Sequence, residues 1–193
     1  MDYLASIKSL LAWTAIGAVF YHGLAIVTLH LLASNVNPFT DMVDAYLQGP
    51  YRLLARSTFL AFAFAFGALA LGIASVLPSS WLKTGILILL VLAVIGFLSV
   101  FILPEASHII TTPTRPATLF AVILLSFAVR DIDYWQPITP FLLGISITLV
   151  CLFIFTLVFG TASKINLNGL TNRIVLILLY CWIIIVARSL LRG

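Results

Sequence analysis

The sequence predicts an all-α, polytopic membrane protein: a six-transmembrane-helix bundle with a short interfacial helix in its first loop. Three observations carry this. Hydrophobic residues make up 63% of the 193 positions and charged residues only 8%, whereas a soluble domain carries roughly a quarter charged residues. Six apolar runs fill the chain nearly end to end, and a helix needs about 20 such residues to cross a bilayer. The basic residues are scattered singly at the ends of those runs, where membrane helices keep them. The connections are too short for a second domain, so residues 1–193 read as one transmembrane unit. The net charge of +4 is too dispersed to be a nucleic-acid footprint, and no nucleic-acid partner is expected.

The first helix is expected over about 10–33, stopped by Asn35, Asn37 and Pro38. It is longer than a signal-peptide core and no small-residue cleavage site follows it, so it is expected to be retained. Thr40 is placed to cap a short helix from Ala45 to Gln48 that ends at Gly49. Its Met42, Val43, Tyr46 and Leu47 share one face, and Asp41, Asp44 and Gln48 the other, which suits a helix lying in the interface.

The second helix, about 50–77, is rich in alanine and glycine. Ala63–Gly67 and Ala68–Gly72 are small pairs that let a neighbouring backbone approach. The local Ala-Phe alternation at 61–66 looks strand-like, but an open strand cannot satisfy its backbone in lipid. This helix is expected at the centre, with Ala68 and Gly72 facing a neighbour. Pro78-Ser79-Ser80 turns into the third helix, about 81–103, with Trp81 and Lys83 as interfacial anchors.

A loop over 104–113 should carry Glu105 and His108. The fourth helix, about 115–130, and the sixth, about 170–190, are short and bracketed by arginines: Arg115 and Arg130, Arg173 and Arg188. Each pair stands about 22 Å apart along a helix, short of a core about 30 Å thick. Long arginine side chains reaching to the headgroups would close the gap. The fifth helix, about 139–160, should start with Thr139 as cap and Pro140 in its first turn. Asn168 or Thr171 should cap the sixth.

Six crossings put both ends of the chain on one side. Five basic residues then fall on each side, so the positive-inside rule does not choose an orientation. The long first loop favours cytoplasmic ends in a bacterial cytoplasmic (inner) membrane. Every proline is read as lying at a helix end, which argues against a transporter with broken helices.

Candidate site residues gather on the side away from the ends: Asp44, Tyr46, Arg52, Arg56, Glu105, His108, Arg115 and Arg173. Arg52 and Arg56 share a helix face. Carboxylate, imidazole and guanidinium together suit acid–base work or an anionic headgroup; the alternative is a purely structural loop network. A functional site, if built from these residues, is expected where the first loop meets the third. His22 and His30 lie in the first helix. His30 is expected to reach the interface and His22 to bond a neighbouring helix. No opposed axial pair for haem is evident, and no cofactor or metal is expected. Cys151 and Cys181, inside apolar runs, read as small core residues rather than a disulfide.

Four stretches resemble the domain-of-unknown-function family 998 of bacterial integral membrane proteins. They are Tyr46 and Gly49 followed by Phe59-Leu60-Ala61-Phe62; Phe101-Ile102-Leu103-Pro104-Glu105; Thr112 to Arg115; and Gly169-Leu170 with Arg173 and Trp182. The chain departs from that pattern in carrying Asp44 where serine is expected and in lacking a histidine at the start of the fourth helix. The resemblance implies six helices and no particular activity. Three function classes follow. The first is a non-catalytic accessory subunit or binder of lipid or another small amphiphile. The others are a membrane enzyme acting on headgroups through the loop carboxylates and His108, and a small transporter. The expected partners are membrane lipids and other membrane protein subunits.

Overall fold

The structure is a computed structural model. It describes the backbone of residues 2–159 and 167–192, and the side chains of those residues other than 2, 4, 106–113 and 157–159. It is all-helical, with no strand among the described residues. Six α-helices run in order: α1 (Asp2–Leu32), α2 (Arg52–Val76), α3 (Trp81–Ile102), α4 (Ser107–Ala128), α5 (Thr139–Phe159) and α6 (Asn168–Leu190). Short 3-10 helices precede α2 (Val43–Gln48), α4 (Pro104–Ala106) and α5 (Asp133–Ile138). Among the described residues five helical stretches are long and apolar enough to cross a membrane, and Thr114–Ala128 of α4 is a shorter apolar one. The chain is therefore a multi-pass membrane protein by length and composition of its helices.

The helices form a closed ring in which each packs on its chain neighbours, α6 returns to α1, and α2 also touches α6. Small side chains explain why α2 sits innermost: Ala61, Ala65 and Ala68 are buried, and its span is 61% buried, more than any other. Gly72 meets α6, since a Cβ there would stand 2.5 Å from Leu190 Cδ1. Gly67 does not share that contact; its nearest neighbour, Val94 Cγ2, would be 3.9 Å away. Phe62, Phe66 and Phe97 stack between α2 and α3, with centroids 5.2–6.0 Å apart, a geometry that adds to their apolar burial.

Several sequence expectations need correction. Helix α1 starts at Asp2 rather than near Leu10, because a helix continues past its apolar run. The expected loop over 104–113 is mostly helix, since α4 begins at Ser107 and includes Pro113 and Pro116. Not every proline therefore ends a helix. Membrane helices tolerate interior prolines because neighbouring groups re-satisfy the freed backbone.

Three expected caps are also absent. The Thr40 hydroxyl donates to Asp41 Oδ1 at 3.0 Å instead of capping. The segment it was to start is a 3-10 helix entered from Met42 without a side-chain cap, although Gly49 does end it. Thr139 continues directly from the preceding 3-10 helix in helical geometry and donates to Trp135 O. Helix α6 starts at Asn168 after an uncapped Leu167, and Thr171 lies inside it, donating back to Leu167 O at 3.0 Å. Each of these hydroxyls bonds a nearby partner, the local competition that makes cap assignments from sequence fail. Ser80, in contrast, caps α3 by accepting from Lys83 N at 3.1 Å.

Candidate functional site

The first loop folds down onto one end of the bundle. Val43, Tyr46 and Leu47 of its 3-10 helix are buried with Ile26 and Leu29 of α1, Ala55 of α2 and Val100 of α3. The apolar face expected of this segment thus covers protein. The backbone of the loop is bound to the start of α6: Leu170 N donates to Phe39 O at 3.0 Å, and Val43 N to Asn172 Oδ1 at 3.3 Å. Gly169 makes this approach possible. A Cβ there would lie 2.7 Å from the carbonyl oxygens of both Pro38 and Asp41.

Arg173 locks the arrangement. Its Nη1 donates to Asp41 O at 2.8 Å and Gly169 O at 2.9 Å, and its Nε donates to His30 Nε2 at 3.0 Å. The acceptor role of Nε2 puts the imidazole proton on Nδ1, which faces Ile26 O at 3.1 Å and the Tyr46 hydroxyl at 2.7 Å. Burial pushes the Tyr46 phenol above its ordinary pKa, and the adjacent Arg173 guanidinium pulls it partly back. Arg173 and His30 thus turn inward to one another. Arg173 does not extend away from the bundle in the manner expected for a helix-end arginine.

Arg115 lies on the other side of the same loop. Its guanidinium stands 3.7 Å from Asp44 Oδ2 and 3.5 Å from Met42 Sδ. Both charged side chains are partly exposed. Beneath them lies a cavity of about 260 Å³. Its polar end is formed by Met42, Asp44, Arg115, Asn168 and Asn172. Its walls are apolar and aromatic: Phe59 and Phe62 from α2, Phe97 from α3, Leu149 and Phe153 from α5, Val175 and Leu179 from α6. Thr114, Thr118, Thr156 and Thr171 also line it. His22 reaches it from α1, only 2% exposed. The Nδ1 of His22 pairs with the Tyr180 hydroxyl of α6 at 2.5 Å, the neighbouring-helix bond expected for it.

The eight candidate residues therefore separate. Asp44 and Arg115 pair at the polar end of the cavity, and Tyr46 and Arg173 belong to the clamp beside it. Arg56 turns to the end of α3, where its Nε donates to Phe101 O at 2.7 Å and its guanidinium lies over the Phe101 ring. That is a C-terminal helix cap. Arg52 and Glu105 are exposed, and among the described residues neither forms an ion pair. The side chain of His108 lies outside the described residues. The first loop accordingly meets α6 and α4 through named bonds, while Glu105 is paired with no charged group among the described residues.

Sequence reasoning found Asp44 and Arg115 at the polar end of the cavity but missed the residues of its walls. One signal was present: Asn168, Thr171, Asn172, Val175, Leu176 and Leu179 recur at helical spacing, so one stripe of α6 passes from polar side chains in its first turns to aliphatic ones further in. No group of three or more metal-binding side chains occurs among the described residues. No protein-family model, curated protein or solved structure matches the chain.

Proposed function

We propose that this protein is a six-span protein of a bacterial cytoplasmic membrane, with α4 as its shortest span and the chain ends on the cytoplasmic side. It binds one amphiphile, non-catalytically, as a lipid-binding protein or as the accessory subunit of a larger assembly. On the sequence resemblance alone we place it beside the domain-of-unknown-function family 998. The observation that carries the binding reading is the cavity of about 260 Å³. Ligand sites are mostly apolar hollows with a few placed polar groups, and this one has aromatic walls below a zwitterionic end. The partly exposed Arg115–Asp44 pair contributes at most about 1 kcal/mol, so a headgroup can replace it at little cost. The carboxylate–imidazole site required by an enzyme reading has less support, since Glu105 is exposed and forms no ion pair among the described residues.

Native mass spectrometry of the gently solubilised protein tests this reading. The expected spectrum shows one amphiphile retained by the native chain and lost from Val175→Phe, which fills the cavity. A ligand-free native spectrum, or equal retention by the filled variant, would refute it.

A further inference from the structure

The inside of the cavity specifies more than a hydrocarbon chain; this inference rests on the amphiphile reading. The α6 stripe runs from Asn168 to Leu179, a depth of about 16 Å at 1.5 Å rise per residue. That is close to one leaflet, half of a core about 30 Å thick. A plain lipid chain held at Arg115 and Asp44 would therefore bring its terminal methyl to the level of His22.

An imidazole is the wrong neighbour for a methyl. The ring is 2% exposed, and among the described residues only its Nδ1 is hydrogen-bonded, to Tyr180. Its Nε2 is not sealed away either. Among the described residues the fully enclosed side-chain nitrogens without a partner are Trp135 Nε1 and Arg173 Nη2, and His22 Nε2 is not one of them. Nε2 therefore remains available to a cavity occupant, and burying it against hydrocarbon would leave a polar group unsatisfied.

We propose that the ligand is polar at both ends: a headgroup at Arg115 and Asp44, and a second hydrogen-bonding oxygen, hydroxyl or carbonyl, that meets His22 Nε2 at the deep end. His22 is then the specificity-determining residue, and the ligand class is a chain oxygenated at its far end. The Nδ1–Tyr180 bond fixes the ring orientation and, through the tautomer, sets whether Nε2 donates or accepts.

The test compares lauric acid with its ω-hydroxy derivative, each titrated into the full-length protein in lipid nanodiscs and read by native mass spectrometry. The hydroxylated chain should bind about tenfold tighter, near the upper end of what one neutral hydrogen bond supplies. His22→Phe should abolish the preference while retaining lauric acid. The native-chain comparison decides even if that variant fails to fold. Equal affinities for the two acids would overturn the deep polar contact and leave the amphiphile reading standing. Binding of neither acid would overturn both.

Discussion

The first turns of α6 face two ways, and the two faces are built on opposite terms. On one, Gly169 and Arg173 bring the first loop to backbone contact, with Pro38 and Asp41 carbonyls where a Cβ would stand. On the other, Asn168, Thr171, Asn172 and Val175 border a cavity. Protein interiors are close-packed, so a void beside so tight a joint is the feature on which the proposed binding reading rests. The contrast separates a face that holds the bundle end together from a face that borders a space, with Asn172 serving both through its bond from Val43 N. Substitution on the first should cost stability, and substitution on the second should cost ligand.

The largest effect is expected for Gly169→Ala. The new methyl meets backbone atoms rather than a flexible side-chain tip, so the first loop must lift. The loss should be about 3 kcal/mol, the top of the range for overpacked sites, seen as a lower unfolding midpoint in detergent. A midpoint unchanged from the native chain would show that the loop moves freely. Arg173→Met comes next. It removes the donor to His30 Nε2, Asp41 O and Gly169 O, and should cost about 2 kcal/mol, within the range for unmade buried hydrogen bonds. Hydrogen exchange should quicken at the amides of Asp41 and Val43 above all. Protection there equal to the native chain would mean the arginine is not the lock.

A smaller effect sharpens the comparison elsewhere in the bundle. Gly72→Ala meets only the tip of Leu190, so its thermal midpoint should fall by an amount equivalent to about 1 kcal/mol. Gly67→Ala should not change it, because its nearest neighbour lies at ordinary van der Waals distance. Equal effects would remove the assignment of Gly72 to the α2–α6 contact. Val175→Phe should have the smallest stability effect, within about 0.5 kcal/mol of zero or slightly stabilising, as cavity-filling changes often are. A large loss of stability there would mean that the second face is as tightly filled as the first.

Much of the helical scaffold was legible, and the reasons for the failures are specific. Long apolar runs located α2, α3 and α5 closely, since lipid admits few alternatives to a helix. The starts of α1 and α4 were not legible. Residues 2–9 mix Asp2, Lys8 and serines with apolar groups, and residues 107–113 mix serine, histidine, threonine and proline with them; hydropathy is silent about a helix that outruns its apolar stretch. The buried face of the first loop was visible in the spacing of Val43, Tyr46 and Leu47. Its binding to α6 was not, because Arg173 looks from its own neighbourhood like any helix-end arginine. Only the fold brings it to His30, and only the fold shows a space beside Asn172. A cavity is a deficit of side-chain volume summed over six helices, and no local window contains that sum.

Helix α4 has a mechanical consequence for the surrounding bilayer. The helix itself is long enough to cross, but its charge-free run between Arg115 and Arg130 is only about 22 Å long, roughly a quarter less than a typical hydrocarbon core. Phe120 and Phe127 are exposed on it. The usual remedy is a long basic side chain extended at each end, but Arg115 is engaged with Asp44 and Met42. Arg130, at the other end, is 3.3 Å from its neighbour Asp131, and both side chains stay exposed at the surface. If α4 crosses, the membrane must thin locally along this one side, at a fraction of a kcal/mol per Å. That thinned patch adjoins the polar end of the cavity. On the proposed binding reading, bilayer thickness and occupancy of the Arg115–Asp44 pair are mechanically linked: a headgroup that frees Arg115 from Asp44 changes how much thinning the neighbouring leaflet must supply.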